Sequence, residues 1–240
     1  MTNFITGIFS VLIVCSYFYL KGNAEMKKIF ERVAEKNGKT VDEIHSMVND
    51  IFAKLEKEVN AQDGLREKNI KIVLSPVILG CSSLNANAFI PYRILVTPTW
   101  VEKILSGNKV WEQAFVQTIG HETCHKKEKI SAIFSPFKKA KFTNWVREAN
   151  CDAFGVIFAM NYLGLSKKEI VNSVEVKARA MGNGKLSSKG DFSHPDWKLR
   201  VKLLDKHEAF NASAIEDIKI AIEYKNSEYA DKLAKKTIIA

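Results

Sequence analysis

The sequence predicts an α+β fold, mainly helical, with a small sheet and one apolar helix in front. Three observations carry that expectation. Apolar residues recur at helical spacing through most of the chain from Thr40 onward. Two short β-branched runs, IKIVLS at 70–75 and RILVTP at 93–98, flank a stretch containing Pro76 and Gly80. Residues 2–20, TNFITGIFSVLIVCSYFYL, carry no charge. With 240 residues, 46% hydrophobic and 26% charged, the chain has an ordinary globular composition and can bury a core.

A helix over residues 2–20, rising about 1.5 Å per residue, nearly matches a hydrocarbon layer of about 30 Å. The expectation is therefore an anchoring or export segment over 1–23, followed by a single domain over 24–240. The segment lacks the positive start of a cleaved signal, which favours a single-pass membrane anchor. Gly22 and Ala24 offer the small residues that the alternative, cleavage and export, requires. Lys21, Lys27, Lys28 and Arg32 follow the segment, but acidic neighbours offset them, so the membrane side stays open.

Residues 24–37 read as a short charged helix ended by Gly38. Thr40 and Glu43 then have capping-box spacing, and Ile44, Met47, Val48, Ile51, Phe52, Leu55 and Val59 follow at helical intervals. The runs 70–75 and 93–98 are the strands, the second expected at a sheet edge where an extended peptide can pair with it. Thr99 is placed to cap a short helix through Leu105. A helix over 109–127 has Trp111, Ala114, Phe115 and Ile119 on one face. After a loop at Ser135 and Pro136 comes a helix over 143–163 closed by Gly164. Ser166 and Glu169 form a second capping box for a helix to Met181. MGNGKLSSKGD at 181–191 reads as a surface loop, because it lacks the strand and helix context of a phosphate cradle. Helix returns over about 195–209, and the tail from 213 to 236 looks helical and polar.

The formal charge of +9 reflects 36 basic and 27 acidic residues, with clusters at KKEK (126–129) and KKAK (138–141). That suits a solvated basic surface facing, if anything, anionic lipid. No aromatic-basic interleaving or zinc-finger spacing accompanies it, so no nucleic-acid partner is expected. Of the four cysteines, Cys15 lies in the apolar segment and Cys81 in a loop-like stretch. Cys124 and Cys151 sit inside predicted helices, where small buried thiols are common and a pairing between them is conceivable. His45 and His207 read as surface histidines. Trp100, Trp111, Trp145 and Trp197 read as packing residues.

HETCH, residues 121–125, carries the chemistry. On a helix, His121 and His125 lie one turn apart on the same face and can grip one metal ion, with Glu122 beside it. A catalytic zinc needs a third protein ligand and an open position for water. His194 and His207 are candidates for that ligand. So is Glu148, which the helix NWVREANCDAFG (144–155) pairs at i, i+4 with Asp152. Asp152 could then take the free ring N–H of a ligand histidine and fix its tautomer. The apolar neighbours Ala149, Phe154, Val156 and Phe158 imply a largely buried helix, on which unpartnered carboxylates are expensive.

In this respect the chain resembles the HtpX-like and CAAX-prenyl-protease-like zinc metallopeptidases of the gluzincin group. Four stretches carry the resemblance in order: NAFIPYRILVT (87–97), HETCH as HExxH, EANCD as E-x-x-x-D, and SHPDWKLR (193–200) as the late S/T-H-P segment with Arg six residues after His. The resemblance implies a zincin-type domain binding one Zn²⁺ per chain and cleaving extended protein or peptide substrates. It implies His121, His125 and Glu148 as ligands, Glu122 as general base and Asp152 as the partner of a ligand histidine. His194 would lie near the metal, stabilising the oxyanion or capping a latent form, and Arg200 would support that region. Two departures stand out. Only 22 residues separate His125 from Glu148, and one apolar segment replaces the several spans of the multi-pass branch. A non-cleaving, metal-stabilised peptide-binding chaperone or adaptor is the alternative expectation.

Overall fold

A computed structural model describes residues 2–76, 83–127, 137–187 and 190–224. The expectations at Cys81, at Ser135 and Pro136, in part of KKEK and in the tail beyond 224 lie outside them. The fold is α+β and mainly helical with a small three-stranded sheet, as the sequence predicts. The chain divides into two compact units, Met1–Asn108 and Lys109–Ala240.

The first unit holds helices α1 (Thr2–Asn37), α2 (Val41–Ala61) and α3 (Thr99–Ile104) and strands β1 (Lys71–Leu74), β2 (Ala86–Asn87) and β3 (Arg93–Val96). The expected membrane anchor is not supported: among the described residues no helix is long and apolar enough to cross a membrane. The segment 1–23 is no separate span. Its helix continues to Asn37 through Lys21, Glu25, Lys27, Lys28, Glu31 and Arg32, and Phe30, Val33 and Ala34 on it are buried in the protein core. Gly38, at φ 61°, ends the helix in the left-handed region.

The Thr40 capping box forms as expected: the Thr40 hydroxyl accepts the Glu43 N–H, and the Glu43 carboxylate accepts the Thr40 N–H. From there α2 buries Ile44, Val48, Phe52, Leu55 and Val59 along one stripe. Its polar side holds the sheet. The Asn60 amide bonds both backbone groups of Ile70, at 2.7 and 2.9 Å, and Glu56 accepts from the Ile72 N–H and from Lys71.

In the sheet, β3 pairs in parallel with β1, Ile72 facing Ile94, and antiparallel with β2, Ala86 facing Val96. The expectation that β3 forms the edge is therefore corrected: the order is β1-β3-β2, and its central place explains why Ile94, Leu95 and Val96 are all buried. A run without alternation marks a strand covered on both faces. The edge strands are β1 and β2, and β2, two residues long, is too short to leave a periodic signal. Thr99 does not cap α3. Pro98 holds the N-cap position, and the Thr97 hydroxyl instead donates to the Ser83 carbonyl.

The second unit is entirely helical among its described residues: α4 (Lys109–Lys127), α5 (Phe137–Leu163), α6 (Lys167–Met181), α7 (Trp197–Lys206) and α8 (Ala212–Tyr224). Every residue of α4 from Ala114 to Cys124 is buried. Its hydroxyls survive this by bonding back along the helix, Thr118 to the Ala114 carbonyl and Thr123 to that of Ile119. Two glycines let α5 approach α4 backbone to backbone. A Cβ on Gly155 would stand 2.6 Å from the Gln117 oxygen and 2.9 Å from the His121 nitrogen, and one on Gly120 would stand 2.9 Å from Gly155 Cα. Helix α6 opens with the expected Ser166–Glu169 capping box. Helix α7 starts at Trp197 rather than Pro195, with Asp196 accepting the Leu199 N–H as its N-cap. Trp145, Ala149, Leu199, Leu203, Ala214 and Ile218 form one core cluster joining α5, α7 and α8.

Candidate metal centre

All the polar groups of the site belong to the second unit. Helix α4 contributes His121, Glu122 and His125, and a single turn of α5 contributes Glu148, Cys151 and Asp152. Residues at i, i+3 and i+4 share a helix face, and the Gly120–Gly155 approach brings that face within bonding range of the two histidines. One ligand atom from each of His121, His125 and Glu148 lies within 4.8 Å of the others.

The hydrogen bonds decide where the imidazole lone pairs point. Asp152 Oδ1 lies 2.9 Å from His121 Nδ1. A carboxylate only accepts, so Nδ1 carries the proton and Nε2 of His121 presents a lone pair. That Nε2 lies 3.1 Å from Nε2 of His125 and 3.4 Å from Glu148 Oε2, and His125 Nε2 lies 3.4 Å from Glu148 Oε1. Glu148 is buried, and its Oε2 has no hydrogen-bond partner. Three electron-rich atoms thus converge among mostly buried side chains, an arrangement that costs free energy unless a cation sits among them. The residues present fit a metal ion.

The electrostatics agree. Burial raises the Glu148 pKa, but the facing imidazoles outweigh it and hold the carboxyl below the usual range. Asp152 is likewise held low despite burial, by the charge and hydrogen bonds of Arg200. Burial pulls the His121 pKa down, yet Asp152 and Glu148 more than compensate and raise it. The same field that favours a proton on this ring favours a metal ion beside it.

Arg200 is placed behind the site. Its Nε and Nη2 donate to the two oxygens of Asp152 at 2.7 and 2.6 Å, a bidentate pair, and its guanidinium lies 4.1 Å over the Trp197 ring. The relay runs Arg200 to Asp152 to His121. Glu122 is buried, next in α4 to His121. His194 is half exposed, with Nε2 3.4 Å from Glu148 Oε2 and Nδ1 2.8 Å from the Ser193 hydroxyl. Asp191 Oδ1 accepts the Ser193 and His194 N–H groups at 2.7 Å each and so shapes the turn that presents His194.

Of the alternatives for a third ligand, Glu148 is the residue placed with the histidine pair. His207, expected at the surface, instead has a buried side chain 2.8 Å from Asp217 Oδ2, a carboxylate that Lys206 shares. Cys124 and Cys151 form no disulfide. They do not pair because their sulfurs face different groups, Cys124 the Asn150 amide and Cys151 the His125 ring.

Three participants escaped the sequence reading. Gly120 and Gly155 left a signal, since glycine inside a helix costs about 1 kcal/mol relative to alanine and calls for a packing reason. Lys177 left none. It is buried on α6, donates to the Thr118 hydroxyl at 2.9 Å and lies 5.0 Å from the Trp197 ring centre, and burial, then Arg200, pushes its pKa down to about 8. No protein-family model, curated protein or solved structure matches the chain.

Proposed function

We propose that this protein is a zinc-dependent endopeptidase. The single observation that carries the reading is the convergence of His121 Nε2, His125 Nε2 and an unpartnered Glu148 carboxylate oxygen, with Glu122 next to them. Two imidazoles and one carboxylate form a donor set suited to zinc, and three protein ligands leave a coordination position open. A zinc ion bound there would supply Lewis acidity, acidifying a water and polarising a substrate carbonyl.

The chain's own groups do the rest. Glu122 accepts the proton of the attacking water and passes it to the leaving amine. Asp152, held by Arg200, keeps the His121 lone pair on Nε2. His194, half exposed beside Glu148, donates toward the oxygen on which charge develops; loss of one such donor typically costs about 100-fold to 1,000-fold in rate. Arg200 acts through Asp152 and touches no reacting atom. The substrate class, extended segments of proteins, rests on the resemblance of the ordered motifs.

The test uses the full chain. Zinc stoichiometry and casein cleavage are measured with and without chelator, for the wild type and for Glu122→Gln. The expected result is one zinc per chain in both proteins, with cleavage only in the wild type and only without chelator. Full cleavage by Glu122→Gln would overturn the mechanism, and zinc bound without any cleavage would leave a metal centre that is not a peptidase.

A further inference from the structure

Each candidate ligand histidine has a second ring nitrogen that must be held if the first is to face a metal. For His121 that partner is Asp152. For His125 it is a sulfur: Cys151 Sγ lies 3.3 Å from His125 Nδ1, on a side chain with no solvent exposure. We propose that Cys151 is a positioning residue for the metal, its sulfur accepting the Nδ1–H of His125 and thereby turning the Nε2 lone pair of that ring toward His121 and Glu148. This inference rests on the metal-centre reading above.

Geometry supports the assignment from both sides. Glu148, Cys151 and Asp152 form one turn of α5, so the same turn supplies a candidate ligand, Glu148, and a partner for each ring of the histidine pair. His121 and His125 lie edge to face, with ring planes 81° apart, and their Nδ1 atoms meet different partners, Asp152 Oδ1 at 2.9 Å and Cys151 Sγ at 3.3 Å. The two partners differ in kind. Asp152 carries a full charge neutralised by Arg200, whereas a thiol is a weak, neutral acceptor and can also donate. Cys151 therefore orients His125 without adding a negative charge to a pocket that already contains Glu148, Glu122 and Asp152. The place of Cys151 in the fold is specific, because the other buried thiol among the described residues, Cys124, faces the Asn150 amide.

The test measures zinc affinity by chelator competition on the full chain, for the wild type, Cys151→Ala, Cys151→Ser and, as a control, Cys124→Ala. Thermal melts with excess chelator report folding independently. Loss of an outer partner of a ligand histidine typically weakens metal binding about 10-fold to 100-fold. The expected pattern is a loss of that size in Cys151→Ala, partial recovery in Cys151→Ser, wild-type affinity in Cys124→Ala, and similar melts for all four. Wild-type affinity in Cys151→Ala would overturn the positioning role while leaving the metal centre intact. No zinc in the wild type would remove both. Cobalt substitution of the wild type decides the matter even if the alanine variant does not fold. A near-ultraviolet sulfur-to-cobalt charge-transfer band would make Cys151 a ligand and overturn the proposal, and a visible band without it is the expected result.

Discussion

His121 has both ring nitrogens committed, Nδ1 to an ionised Asp152 and Nε2 to the convergence with His125 and Glu148. Because the fold raises its pKa above 6.5, a proton and a metal ion compete for this ring from a higher pH than they would for a free imidazole. Zinc affinity should therefore begin to fall above pH 6.5 as the pH is lowered, by about tenfold per pH unit once one proton must be displaced. Chelator competition across the neutral and mildly acid range measures this, and a flat profile would show that His121 is not a ligand. Lys177 makes the opposite case. Its pKa of about 8 lies below the 10.5 of an unfolded lysine, so between those values the unfolded chain binds more protons and wild-type stability rises with pH. Below pH 8 the charged ammonium is buried at a cost of roughly 3 kcal/mol. Lys177→Met should accordingly raise stability at pH 7 by about 1 to 3 kcal/mol. That advantage should shrink as the pH climbs from 8 toward 10.5. Denaturant titrations at several pH values check both sign and window.

At the scale of elements, the site depends on how closely two helices approach. Replacing glycine by alanine inside a helix ordinarily stabilises it by up to about 1 kcal/mol. At Gly155 the added Cβ would meet backbone atoms of Gln117 and His121, which cannot rotate away. Gly155→Ala should instead destabilise the protein by about 1 to 3 kcal/mol and weaken zinc binding by separating α4 from Glu148 and Asp152. A variant with raised stability and intact zinc affinity would refute the close approach. This contact also shows what the sequence made legible. Both capping boxes, the left-handed glycines at 38 and 164, and the His and carboxylate pairs at i, i+4 follow from local rules, and all appear in the structure. The grouping of Glu148 with His121 and His125 was legible only as one option among three, since His194 and His207 are as suitable chemically. Distinguishing them needs the helix crossing, a property of packing that no single segment encodes. The place of β3 inside the sheet was hidden for a similar reason: its two-residue partner β2 is too short to announce itself.

At the scale of the whole molecule, the division at Asn108 and Lys109 follows a short turn, Ser106–Gly107–Asn108, with no linker-like composition to mark it. Gly107, at φ 75°, makes the turn. Every group assigned to the centre lies beyond this point: the three candidate ligands, Glu122, Cys151, the Arg200–Asp152 relay and His194. The second unit also has its own apolar cluster around Trp145, Leu199 and Ile218, so its helices have a core to fold around. Residues 109–240 expressed alone should therefore bind one zinc per chain with an affinity within about tenfold of the full protein, since the centre is built by α4 and α5 and braced by α6 and α7. Equilibrium dialysis and helical circular dichroism on that fragment provide the measurement. Casein cleavage by the same fragment then separates two requirements. Zinc bound with cleavage lost would mean that peptide hydrolysis, unlike metal binding, requires the first unit. Zinc lost from a fragment that keeps its helicity would mean that the histidine pair needs the first unit to hold its geometry.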